Sequence, residues 1–177
     1  MLKTFLFCLV VVLSWSFFSC GHQIGGEPKE AVYLIPEGYV GSVVILFDQA
    51  DGVTPDIENG FAVYNIPSDG VLRVNTSAVY SVDELNYFYV DQAGNRTEIT
   101  PVYPSSQASE GDGKKTYKQI PPNDPTIYAS IGEMGSFNAN GRVIRFRAFG
   151  VGRASESERL FEETRRKITK LQKTFEE

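Results

Sequence analysis

Short hydrophobic segments separated by turn residues fill the chain from residue 31 to residue 102. Runs rich in Val, Ile, Tyr and Phe are interrupted about every 8 to 12 residues by Gly, Pro, Asn or Asp, which is typical of β-strands joined by turns. The segment 42–47, SVVILF, is apolar on both alternating faces, so we expect it to be central and the most buried strand. The predicted strands are 31–36, 42–47, 61–66, 71–74, 85–90 and 96–102.

Two hairpins are predicted. The segment 91–95, DQAGN, separates two strands and contains Gly and Asn, which favour the positive φ that a tight connection needs. A second hairpin joins 126–134 to 141–150 around 135–140. In its last strand, the pleat places alternate residues on opposite faces. We expect Ile144, Phe146 and Ala148 to face the core, and Val143, Arg145 and Arg147 to face outward.

The hydrophobic period becomes helical near residue 155. The sequence SESE at 155–158 fits a capping box, and apolar residues then recur at helical spacing. This pattern predicts one amphipathic helix over 155–177. We expect its apolar stripe to pack on its own sheet; a partner helix and a membrane surface are the alternatives. The stripe consists of Leu160, Phe161, Thr164, Ile168, Leu171 and Phe175.

Residues 104–125 contain four prolines, several Ser and Gly residues and little that is apolar. They predict a long loop, which is either functional or a disordered insert.

The N-terminus has the features of an export signal. Lys3 is followed by an apolar run that is shorter than the roughly 20 residues needed to span a bilayer. Ser19 before Cys20 resembles the lipobox of bacterial lipoproteins, in which the cysteine is acylated after the signal is removed; Phe17 departs from its usual Leu. We therefore predict a signal peptide at 1–19, a lipidated Cys20 and a polar tether at 20–30. Ordinary signal cleavage, which leaves a free thiol, is the alternative.

The amino-acid composition limits the kinds of catalytic and metal sites that the chain can form. The chain has one His, at position 22, and two Cys, at positions 8 and 20, so the domain beyond the tether has neither residue type. This argues against zinc centres, disulfides and catalysis by His or Cys. Without Lys3 the mature chain has 16 bases and 22 acids, a charge of about −6, which disfavours nucleic acid as a partner. No cofactor is predicted.

Three groups of side chains are candidate sites. Carboxylates after the predicted central strand are close enough in sequence for a Ca²⁺ site or a hydrolase pair, although Asp is also common in turns. Arginines around the last strand are candidates for binding an anion or a lipid headgroup; cross-strand ion pairs would equally explain them. Tyr87 and Tyr89 should share one face, with Phe88 buried on the other. They are candidates for a peptide or sugar platform together with four further tyrosines, although sandwich cores use tyrosines in the same way. The four are Tyr33, Tyr39, Tyr64 and Tyr80. The carboxylates are Asp48, Asp51, Asp56 and Glu58, and the arginines are Arg142, Arg145, Arg147 and Arg153.

Five segments carry a family resemblance: YLIPEGYVG at 33–41, VILFD at 44–48, YNIP at 64–67, GVL at 70–72 and YFYVD at 87–91. Together they resemble an uncharacterised family of small bacterial lipoproteins built around a domain of unknown function, over about residues 31–152. The resemblance implies an exported, membrane-anchored β domain. It transfers no catalytic or binding residue.

The sequence therefore predicts a mainly antiparallel β-sandwich over 31–152, similar to prealbumin-like or immunoglobulin-like modules, with one C-terminal helix. We expect an envelope lipoprotein, anchored to the membrane through its lipid, that binds a protein, peptide or glycan and is not an enzyme. Arg145, Arg147, Tyr87 and Tyr89 are its candidate binding residues. A carboxylate-dependent hydrolase and a structural subunit assembling through the helix are the alternatives.

Overall fold

The structure, a computed structural model, describes residues 28, 30–78, 85–102, 121, 123–130 and 132–176. The predicted signal peptide, Cys20, most of the tether and most of the 104–125 loop lie outside these residues. The described strands are β1 (Glu30–Pro36), β2 (Gly41–Leu46), β3 (Asp56–Glu58), β4 (Phe61–Asn65), β5 (Val71–Arg73), β6 (Leu85–Val90), β7 (Arg96–Val102), β8 (Ile127–Ser130), β9 (Glu133–Ala139) and β10 (Arg142–Arg153). A short 3-10 turn (Ala154–Glu156) leads into the helix α1 (Ser157–Glu176).

The strands form a single curled, mixed sheet with the shape of a half-barrel. The order is β3-β4-β1-β6-β7-β8-β10-β2-β5, and β9 also pairs with β10. The prediction of a mainly β chain with one C-terminal helix is confirmed. The prediction of a mainly antiparallel sandwich is not confirmed. The strands form one continuous sheet, and four of the strand pairs are parallel: β1–β4, β1–β6, β7–β8 and β2–β5.

Both predicted hairpins are present. In the first, Asp91 Oδ1 accepts hydrogen bonds from the amides of Ala93 and Asn95 and so fixes the turn between β6 and β7. In the second, the turn lies later than predicted, at Asn140 and Gly141, with φ of 48° and 74°. Asn and Gly tolerate positive φ best, so the hairpin turn forms at these two residues. The segment predicted as the turn instead forms most of β9.

The inner face of the curled sheet is built on a row of three tyrosines. Tyr33 in β1 is in register with Tyr64 in β4 and with Tyr87 in β6. Its ring centroid lies 5.4 Å from that of Tyr64 and 5.1 Å from that of Tyr87, and both pairs are stacked. Phe149 of β10 meets Tyr33 and Tyr87 edge-on from the other side of the curl, at 5.3 and 5.0 Å. These contacts join the two halves of the sheet in one core.

The outer face of β2 and β10 is covered by α1. Phe137, Phe146 and the aliphatic residues beside them pack against Ile168, Leu171 and Phe175 of the helix. All six residues of β2 are buried, as predicted, because one face points into the half-barrel and the other lies under the helix.

Two polar side chains of α1 hold the helix against the start of β2. Glu163 Oε1 accepts hydrogen bonds from the amide and the hydroxyl of Ser42, at 3.0 and 3.1 Å. Lys167 Nζ donates to the carbonyl oxygens of Ser42 and Asp69, at 2.6 and 2.9 Å. The apolar stripe of the helix therefore packs on its own domain, as expected. The helical segment also starts earlier than predicted, where the Arg153 amide donates to Glu156 Oε2.

Leu160 and Phe161 are adjacent in α1, but their environments differ. Leu160 is 6% exposed and lies over Gly150 and Gly152, whereas Phe161 is 54% exposed, contrary to its predicted place in the apolar stripe. We expect Leu160→Ala to lower the free energy of unfolding by about 2–4 kcal/mol, because it leaves a cavity. Phe161→Ala should cost less than about 1 kcal/mol. Urea unfolding of the two variants measures the difference. Equal losses in the free energy of unfolding would show that the helix face assigned to the contact with the sheet is wrong.

Candidate functional site

The acidic candidates do not form one cluster. Three of the four predicted carboxylates form separate ion pairs, and Asp56 forms none with the described residues. The part of the chain that the structure describes contains no group of three or more His, Cys, Asp or Glu side chains that could hold a metal ion. Hydrogen bonding to Arg96 lowers the pKa of Glu58, which is opposite to the raised pKa that a general acid needs. The pairs are Asp48–Arg145 at 3.4 Å, Asp51–Arg73 at 3.3 Å and Glu58–Arg96 at 2.8 Å.

Tyr87 and Tyr89 share one face of β6, as predicted, but that face is the interior of the half-barrel. Tyr87 is only 1% exposed. Tyr89 is half-buried, and its hydroxyl donates to the carbonyl oxygen of Tyr39 at 2.7 Å. Phe88 lies on the opposite, outer face, where it is also half-buried. The expected exposed platform is therefore wrong, because the curl turns the tyrosine face inward.

Arg145 and Arg147 lie two residues apart on the same face of β10, but only one of them is exposed. The Arg145 side chain is 53% exposed, while Arg147 is 1% exposed. The alternate residues, including Phe146 and Ala148, pack under α1 as predicted. The outward orientation predicted for Arg147 is wrong because both faces of β10 are covered at this point, one by the helix and the other by the curled sheet.

Arg147 lies against the tyrosine row. Its Cζ atom is 6.0 Å from the centroid of the Tyr33 ring. Its Nε donates to Met134 Sδ at 3.0 Å, and a thioether is a weak acceptor. No carboxylate of the described residues forms an ion pair with Arg147. We call Arg147, Tyr33, Tyr64 and Met134 the arginine–tyrosine site.

The tyrosines do not neutralise this buried charge. Burial raises the pKa of Tyr64 to about 12, outweighing the opposite effect of the Arg147 charge. Burial likewise raises the pKa of Tyr33, although the charge of Arg147 partly offsets it. Both hydroxyls are therefore neutral at physiological pH. Burying a cation without a counter-charge is unfavourable, so the site favours an anionic group.

Tyr64 adds a second unsatisfied polar group. Its hydroxyl is buried and has no hydrogen-bond partner among the described residues. Buried hydroxyls are normally paired, and an unpaired one can donate to an incoming acceptor. Among the described residues, the Arg147 Nε thus has only a weak acceptor and the Tyr64 hydroxyl has no partner, a combination suited to a ligand carboxylate.

Sequence reasoning identified Arg147 and included Tyr33 and Tyr64 in the tyrosine platform, whose Tyr80 lies outside the described residues; it missed Met134 and the contact between the arginine and the tyrosines. Each of the two tyrosines lies in an apolar run, AVYLI or FAVYN, which indicates burial. Their convergence depends on the parallel pairing of β1 with β4, which separates them by 31 positions in sequence but places them side by side. Met134 is the cross-strand partner of Arg147 in the β9–β10 hairpin, so a turn predicted at Asn140 and Gly141 would have paired these two residues.

The tyrosine row should make the protein sensitive to alkali. The pKa of Tyr64 rises from 10 in the unfolded chain to about 12 in the folded one. The stability that the neutral buried hydroxyl gives the folded state is therefore complete below pH 10 and is lost as the pH rises toward 12. We expect the free energy of unfolding to fall across that interval, with the buried tyrosines ionising only as the protein unfolds. Absorbance of ionised tyrosine and circular dichroism test this. Tyr64→Phe should make this fall in the free energy of unfolding smaller. Complete ionisation of the tyrosines near pH 10 in protein that is still folded would contradict the prediction.

The described residues include no helix long and apolar enough to cross a membrane. A crystal structure of a Bacillus anthracis protein described as a lipoprotein resembles the chain with a TM-score of 0.50 and 22% identity, over 71% of each chain, which supports the fold alone. No curated protein matches the sequence significantly. The model of a family of unknown function (DUF6843) matches residues 27–159, most of the chain, and the protein therefore belongs to this family.

Proposed function

We propose that the protein is a membrane-anchored lipoprotein of the bacterial cell envelope, whose β domain is a non-enzymatic binding module. Its ligand presents an acidic group, as part of a protein, a peptide or a glycan. One observation carries the binding role: Arg147 is buried at the tyrosine row with no carboxylate partner among the described residues. The anchor is supported by the N-terminal signal and Cys20.

Binding would proceed by exchange of acceptors. The Nε of Arg147 now donates to a thioether, and a carboxylate is a stronger acceptor that also supplies the missing charge. Met134 is half-buried and has an unbranched, flexible side chain, so its displacement gives access to the guanidinium at small cost. The ligand therefore gains most of its specificity from charge, while the tyrosine row supplies a fixed surface.

Arg145 provides the approach to this interior cation. It lies two residues before Arg147 on the same face, and its ion pair with Asp48 is exposed and long, at 3.4 Å. Exposed pairs of this kind contribute little to stability, so Arg145 is free to exchange partners. An acidic ligand would meet Arg145 at the rim before reaching Arg147.

Arg147→Met tests the binding role directly. Because no described carboxylate loses its partner, the variant should stay within about 1 kcal/mol of the wild type in stability, whereas breaking a buried ion pair costs about 3–5 kcal/mol. Binding of carboxylate probes should be lost. The probes are glucuronate and a glutamyl dipeptide, with glucose and the glutaminyl dipeptide as counterparts that lack the side-chain or sugar carboxylate, and NMR of the backbone amides reports binding in both proteins.

Met134→Leu is the matched control, since it removes the sulfur acceptor without altering the cation. It should retain or improve carboxylate binding. The proposal is wrong if Arg147→Met binds the acidic probes as well as the wild type, or if the wild type does not distinguish them from the uncharged probes. A loss of about 3 kcal/mol or more in Arg147→Met would instead assign Arg147 a structural role.

The anchor is tested separately by Cys20→Ser. We expect the wild type to incorporate a labelled fatty acid and to stay with membranes after a high-salt wash, and the variant to do neither, because the acylated sulfur is absent and salt weakens charge contacts with the membrane. Cys8→Ser is the control, since that residue leaves with the signal peptide. Full retention of Cys20→Ser on salt-washed membranes, in a form without the signal peptide and without acylation, would contradict the lipid anchor.

A further inference from the structure

The outer face of α1 concentrates positive charge in an acidic protein. The whole chain carries a formal charge of −5, yet between Glu163 and Glu176 the helix contains five bases and no acid. Lys167 points toward the sheet, where it bonds backbone carbonyls. The other four are exposed and form what we call the basic stripe: Arg165, Arg166, Lys170 and Lys173.

The basic stripe lies opposite the side chains that pack on the sheet. Its members lie together on one open surface of the helix with Glu162 and Thr169. The exposed ring of Phe161 continues this surface, with the Arg165 guanidinium 6.0 Å from its centroid. Cations on this surface can contact lipid headgroups, and the aromatic ring beside them can enter the bilayer interface.

Intramolecular contacts account for only part of this charge. Arg165 pairs with Glu162 at 3.4 Å, but Arg166, Lys170 and Lys173 form no ion pair with the described residues. The helix dipole favours a cation in the last turn, which fits Lys173. It does not explain Arg165 and Arg166 in the middle of the helix.

The length of the N-terminal segment limits what the stripe can meet. From Cys20 to Glu30 the chain can extend at most about 35 Å, comparable with the roughly 30 Å length of α1. A domain anchored at Cys20 is therefore held close to the bilayer, and one of its faces must be near it. The basic stripe is complementary in charge to anionic headgroups.

We propose that the basic stripe docks the domain on a membrane surface of anionic phospholipid, with α1 parallel to the membrane plane. This proposal rests on the lipid anchor of the proposed function but not on ligand binding at Arg147. Docking would fix the orientation of the domain, and the lipid anchor would compensate for the weakness of each individual charge contact.

Vesicle sedimentation of the mature chain from residue 20, with Cys20→Ser, tests the stripe without the lipid. We expect binding to vesicles of phosphatidylglycerol and phosphatidylcholine that weakens as salt is added, and none to phosphatidylcholine alone. Each cation near such a surface increases binding about fivefold, so Arg166→Gln, Lys170→Gln and Lys173→Gln together should reduce it about 100-fold.

The matched control replaces three exposed arginines elsewhere, Arg142→Gln, Arg145→Gln and Arg153→Gln, with the same change in net charge. It should bind within about threefold of the starting protein, and so should Arg147→Met, which separates this proposal from the ligand site. Equal losses in both triple variants overturn the proposal, and a loss only in the control assigns the membrane face to β10. Failure of the starting protein to bind anionic vesicles also overturns it, leaving an acidic protein partner as the alternative.

Discussion

The stacking of Tyr64, Tyr33 and Tyr87 against Phe149 is the interaction on which the fold depends. Three tyrosines from three neighbouring parallel strands present one continuous aromatic surface, and Phe149 meets it from a strand on the opposite side of the curl. A flat sheet would leave this surface exposed. Curling brings the two halves together and buries the rings, and the half-barrel is the result.

β10 connects this interior to the rest of the molecule. One of its faces contributes Arg147 and Phe149 to the half-barrel, and the other packs Phe146 beneath α1. Arg147 is placed at the tyrosine row by the same alternation that buries Phe149 two residues later. The unusual feature is its charge, because burying a cation that has no carboxylate partner among the described residues is unfavourable. The proposed ligand site follows from that excess charge.

The two proposals concern opposite sides of the sheet and complement each other. The arginine–tyrosine site lies inside the half-barrel, whereas the basic stripe lies on the solvent side of the helix that covers the outer face. Glu163 and Lys167 fix the helix on β2, so the stripe has a defined orientation relative to the interior. A domain docked through the helix would keep the half-barrel on the far side of α1, away from the bilayer.

Local periodicity and turn residues were enough to predict most strands, the burial of β2, both hairpins and most of the packing face of α1. They did not predict β3, the division of 126–134 between β8 and β9, or the exposure of Phe161. The absence of His and Cys from the domain follows directly from the sequence. The parallel pairing of β1 with β4 and β6, the curl of the sheet and the resulting burial of Arg147 and Tyr87 emerge only in the folded chain. Parallel pairing joins residues far apart in sequence, and the same alternating pattern fits a strand in a sandwich or in a half-barrel. Which face of a strand is interior depends on what lies across the curl, and that information is not local.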